Sequence, residues 1–121
     1  LHVDHAVIEP GQFDDPLLNA LATDDRQALG LLLEEYRDWL LLLARIEIDK
    51  RLSTKVEPDD LVQEVFLHAF RDRSAFRGRA RAEFAGWLRT ILGHTIKNHV
   101  RHYRGTLRRD IDLEKSIDEG L

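Results

Sequence analysis

Pro58-Asp59-Asp60-Leu61-Val62-Gln63-Glu64-Val65-Phe66-Leu67-His68-Ala69-Phe70, residues 58–70, is the stretch whose reading decides the fold. Pro58 stands where a first helical turn tolerates a missing N–H, and Asp59 and Asp60 follow where the helix dipole favours negative charge. Leu61, Val62, Val65, Phe66 and Ala69 recur at three- and four-residue spacing, an apolar stripe for one side of a helix. Asp60, Gln63, Glu64 and Leu67 lie beside it at i, i+3, i+4 and i+7. The pattern predicts a helix over 58–72. On spacing alone, its polar side is the solvated face of an ordinary amphipathic helix.

The same period extends in both directions. Upstream, Asp24 and Asp25 form a cap region, and Leu29, Leu32, Leu33, Tyr36, Leu40, Leu43 and Ile46 predict a helix over about 25–48. Asp49 to Glu57 lacks the pattern and reads as a connector. Downstream, Arg71 to Ala82 holds five Arg and Gly78 and reads as a basic loop. A third helix is predicted from near Glu83 to about Arg104, burying Leu88, Ile91, Leu92, Thr95, Ile96, Val100 and Tyr103. Strand-like alternation and internal repeats are missing from the sequence. The expected fold is all-α, a compact helical bundle of three main helices plus a short N-terminal helix.

Charge divides the chain more sharply than composition does. Lys plus Arg against Asp plus Glu stands at 6 to 15 over residues 1–64, 11 to 2 over 65–109 and 1 to 5 over 110–121. A formal net charge of −4 therefore conceals a strongly basic segment between two acidic ones. That segment also carries Phe66, Phe70, Phe76, Phe84, Trp87 and Tyr103. Positive charge interleaved with aromatic rings suits single-stranded nucleic acid, Arg meeting phosphates and rings meeting unstacked bases.

At 121 residues the chain accommodates one domain with a modest core. With no Cys there is neither a disulfide framework nor a thiolate metal site, which fits a reducing cytoplasm. The longest apolar run, Trp39 to Ala44, falls far short of the roughly 20 residues that span a bilayer, so no membrane insertion is expected. A chain that opens on Leu1 and holds no Met is expected to be a piece of a longer protein.

In the third helix Arg89, Lys97, Arg101, Arg104 and Arg108 are spaced to share one face. A solvated face is the plainer reading of a charge run, but such a face mixes signs, and no acid lies between Glu83 and Asp110. An anionic partner is the better reading, nucleic acid first. In the loop, Gly78 among Arg77, Arg79 and Arg81 permits close backbone approach to a phosphate or base. Trp87 is open between core packing, the commoner use of a Trp at helical spacing, and a stacking platform. His94, His99 and His102 form the only His cluster, without Cys or nearby acids, so neither metal nor cofactor is expected. No paired carboxylates, Ser/His/Asp set or phosphate-cradling Gly loop supports an enzyme.

The string Asp60-Leu61-Val62-Gln63-Glu64-Val65-Phe66 resembles region 2.2 of bacterial sigma factors. Phe76-Arg77-Gly78, Trp87-Leu88-Arg89-Thr90-Ile91, and then Asn98 and Arg101, look like regions 2.3 and 2.4 of the extracytoplasmic-function (ECF) class. The resemblance covers about residues 25–110, and the order and spacing of these strings make it specific. It implies docking on the clamp helices of the RNA polymerase β′ subunit through Asp60, Gln63 and Glu64, with Phe70 at the periphery. It also implies recognition and melting of a promoter −10 element, with the non-template strand held afterwards. Arg77, Gly78, Arg79, Arg81 and Phe84 would receive a flipped base, and His94, Asn98 and Arg101 would lie on the recognition helix. Lys97, Arg104 and Arg108 extend the DNA face.

Two departures fall where bases are read. His94 stands where many family members carry Asn, and the loop from Arg79 to Glu83 is longer than the commonest form. The chain divides into a flexible lead-in (1–16), a region 2 domain (17–109) and an acidic, poorly periodic end (110–121) that reads as a linker or a short terminal helix and resembles the start of the family's inter-domain linker, with region 4 absent. A duplex-binding regulator is one alternative, disfavoured because no short Gly-bearing turn pairs two helices there. An interaction domain whose basic face is masked by an anti-sigma factor is another.

Overall fold

The computed structural model describes residues 15–51, 56–78 and 80–119. Five helices account for nearly all of them: α1 (Pro16–Ala22), α2 (Arg26–Glu35), α3 (Arg37–Arg51), α4 (Pro58–Arg71) and α5 (Arg81–Glu119), with a 3-10 turn at Arg73–Ala75 before α5. The described residues contain no strand, as the period predicts. None of the helices is long and apolar enough to cross a membrane.

Each start has a local cause. Asp15 accepts a hydrogen bond from the Leu17 N–H (3.0 Å) and Asp25 one from the Ala28 N–H (3.1 Å), capping α1 and α2. Pro58 opens α4, with Asp59 and Asp60 in its first turn. At the head of α5, Glu83 reaches back to accept from the Ala80 N–H (3.1 Å), the returning half of a capping box.

The helix predicted over 25–48 is divided. Tyr36 adopts φ −102° and ψ 0°, and its N–H turns to the Leu33 carbonyl (3.0 Å). This tightened last turn ends α2, and α3 begins at the next residue. Arg37 spans the break, donating to both Glu34 carboxylate oxygens (2.9 and 2.8 Å) while its guanidinium lies 4.8 Å from the Phe66 ring centre. Arg37 beside it holds the Glu34 carboxyl below the ordinary carboxylate range.

α4 runs through the middle. Its predicted stripe, Leu61, Val62, Val65, Phe66 and Ala69, is buried throughout, in one core with Leu29, Leu32 and Leu33 of α2, Leu40 of α3, and Leu88, Leu92 and Ile96 of α5. Each large apolar side chain so buried contributes about 1.5–3 kcal/mol. Thr95 is the one buried polar residue among those described, and its hydroxyl donates to the Ile91 carbonyl (2.8 Å).

One boundary and one burial differ from expectation. α5 continues to Glu119 instead of stopping near Arg104: no Pro interrupts it, and the single Gly105 costs only about 1 kcal/mol against Ala. Pro16 opens α1, within a residue of the expected start, and the lead-in at 1–14 lies outside the described residues. Ile46, predicted to be buried, is 43% exposed on α3.

Candidate nucleic-acid interface and the neighbouring α4 face

α5 supplies the basic surface. Lys97, Arg101, Arg104 and Arg108 are exposed and line, with Val100 and Gly105, an open groove of about 520 Å³. Among the described residues none of these four has a carboxylate partner within ion-pair distance. Arg101 donates to the Asn98 side-chain oxygen (3.1 Å), fixing the carboxamide one turn before it. His94 is exposed a turn earlier still. Arg89 departs from the row. At about 100° per residue it stands roughly 80° from Lys97 around the helix, and it lines a different depression with Leu43 and Glu47 of α3.

The five arginines of the predicted basic loop have separate fates. Arg71 closes α4 and pairs with Asp72 (3.1 Å). Arg73 turns inward, donating to Asp24 (2.6 Å) and to the Phe70 carbonyl (2.7 Å). Arg77 stays exposed at a depression of about 430 Å³ shared with Arg71, Ser74, Phe76 and the end of α1. Arg79 lies outside the described residues.

Arg81, expected on the DNA face, is an internal tie. Its guanidinium bonds to Asp15 and lies 3.2 Å from Glu35, while the Tyr36 hydroxyl donates to its carbonyl (3.4 Å). Asp15, chiefly, pushes the Arg81 guanidinium above its ordinary value, and Arg81 in turn holds the Asp15 carboxyl low. One side chain thereby joins the starts of α1 and α5 to the end of α2.

Phe84, expected to receive a flipped base, lies in the core. It is fully buried, with ring centres 5.5 Å from Tyr36, 5.4 Å from Phe76 and 5.7 Å from Trp87, so it offers no surface to a base. Trp87 is half-buried in that ring cluster, its centre 5.3 Å from Phe76. Gly78 is needed for packing: a Cβ there would sit 2.7 Å from both the Phe76 ring and the Glu83 Cβ. Gly78→Ala is expected to cost about 1–3 kcal/mol, read as a lowered denaturant midpoint, through overpacking at the head of α5.

The polar side of α4 stands open beside this surface. Asp60 and Gln63 are exposed and Leu67 is 58% exposed, whereas Phe70 is half-buried against Gly30. Glu64 is the exception in its row. Its carboxylate lies 2.6 Å from Nε2 of His99 on α5, a contact between residues 35 apart that no sequence spacing announces. Among the described residues no set of three or more His, Asp or Glu is placed to hold a metal ion.

Comparison with known proteins follows the same segment. The Sigma-70 region 2 family matches residues 32–106. The RNA polymerase sigma-H factor of Pseudomonas aeruginosa is 33% identical over 88 residues, 72% of this chain and 42% of that protein. The ECF RNA polymerase sigma-E factor of Haemophilus influenzae is 30% identical over 87 residues, again 72% of this chain and 42% of that protein. The chain thus spans less than half the length of these curated relatives. No solved structure matches it significantly.

Proposed function

Because this chain belongs to the sigma-70 region 2 family, we propose that it is the part of a sigma factor that docks on core RNA polymerase and holds the melted non-template strand of a promoter −10 element. The observation that carries this reading is the placement of two unlike surfaces on two packed helices. α5 presents Lys97, Arg101, Arg104 and Arg108 without acid among them, and α4 presents Asp60 and Gln63 with an exposed Leu67. Sigma factors are not enzymes, and binding on both faces is the whole of the activity assigned.

The energetics favour division of labour. Unpairing and unstacking a base costs a few kcal/mol, and stacking it on a side chain returns about 1–3 kcal/mol. A small domain therefore captures a strand more readily than it opens a duplex. Polymerase, gripped through α4 at its β′ clamp helices, supplies the remaining affinity and geometry. Arg77, Asn98 and Arg101 are the assigned strand contacts nearest to base-reading positions, with His94 beside them.

Docking is tested with core polymerase. Asp60→Ala and Gln63→Ala are each expected to weaken association about 5- to 30-fold, as interface groups worth about 1–2 kcal/mol do. Both sites are exposed, so thermal stability should stay near that of the parent. Undiminished association by both variants would refute docking through α4.

A further inference from the structure

The docking helix and the DNA-facing helix share one polar contact that this reading leaves unused. Glu64 of α4 and His99 of α5 meet at 2.6 Å with side chains 43% and 31% exposed, at the rim of a depression between the helices. A carboxylate only accepts, so Nε2 of the ring carries the proton in this bond. The one Lys or Arg lining that depression, Arg71, is bound to Asp72 and stands 3.3 Å from Nδ1 of His68. Among the described residues His99 is therefore the one side chain hydrogen-bonded to the Glu64 carboxylate.

We propose that His99 is a positioning residue for polymerase docking, acting through Glu64; the inference rests on the docking reading of α4. Asp60, Gln63 and Glu64 share one helix face, but the first two are exposed and Glu64 alone is tied to the neighbouring helix. An untethered glutamate surrenders its rotamer freedom when a partner binds, whereas a tethered one has surrendered it on folding. The ring of His99 thus presents the carboxylate in a fixed place, and that place is set by α5. The second Glu64 oxygen remains for the partner, which would meet it with a cation or an N–H donor.

The experiment measures affinity of the full chain for core RNA polymerase with four variants. His99→Phe keeps a ring and removes the donor; His99→Gln keeps an N–H donor; Glu64→Ala and the Glu64→Ala/His99→Phe pair close the cycle. His99→Phe is expected to weaken association about fivefold, the effect of having to order one long side chain on binding. His99→Gln should restore most of that loss, and His99→Phe should add nothing once Glu64 is gone. Parent-like affinity for His99→Phe, or an equal loss with and without Glu64, would overturn the proposal. Asp60→Ala measured alongside separates the two failures. A loss at Asp60 with none at His99 removes the positioning role alone, and no loss at Asp60 or Gln63 removes the docking reading and this inference with it.

Discussion

Phe84→Ala is expected to lower the stability of the domain by about 3–5 kcal/mol, the range for truncating a fully buried aromatic ring. A domain of this size has a total stability of about 5–15 kcal/mol, so the variant should unfold at a far lower denaturant concentration or fail to accumulate. The size of the effect follows from position. Phe84 is 0% exposed in the first turns of α5 and touches Tyr36 at the α2–α3 break, Phe76 in the loop and Trp87 one turn on. Its removal opens a cavity where three chain segments converge, and none can collapse inward without shifting a helix end. Phe84→Leu keeps much of the volume and separates packing from base contact. It should cost less stability and leave the affinity for single-stranded −10 DNA unchanged. A large loss of strand affinity in a well-folded Phe84→Leu protein would return this ring to the DNA face.

Phe84 also shows what could be read from the chain and what could not. The stripes of α4 and α5 were legible because burial on a helix repeats every three to four residues, and Leu61, Val65, Leu88, Leu92 and Ile96 all obey that period. Tyr36 obeys it too, which is why the break was invisible: the backbone changes at one residue while the apolar spacing runs on through Leu40. Arginines in the loop look alike in a charge count, yet their partners decide their use. Arg73 finds Asp24, 49 residues away, and Arg81 finds Asp15, 66 residues away, and neither pairing leaves a local trace. The change of sign after Arg109 suggested a boundary, but surface charge does not end a helix, and α5 passes through it. The Glu64–His99 contact depends on the packing of α4 against α5 and so belongs to the same class of information.

The second large effect is expected on the basic face of α5. Replacing Arg101, Arg104 and Arg108 together by alanine should reduce the salt dependence of single-strand binding by about 2 in the slope of log K against log salt, at about 0.7 per phosphate contact. Extrapolated from about 1 M salt, where this contribution vanishes, the same slope implies roughly a 100-fold weaker complex at about 0.1 M. The three side chains are exposed and have no carboxylate partner among the described residues, so their loss should leave the fold intact. Arg89→Ala is the internal control. It faces Leu43 and Glu47 in a separate depression, and its removal should change the slope by much less than one contact. The geometry also limits the length of strand engaged. From Lys97 to Arg108 the row covers about 16 Å of helix at a rise of about 1.5 Å per residue, room for only a few nucleotides. Beyond Arg109 the same helix exposes Asp110, Asp112 and Glu114, which would repel a phosphate chain laid along it. Lengthening the DNA past that point should therefore add little affinity. A triple variant with the parent's slope would mean that the phosphates run elsewhere on the molecule.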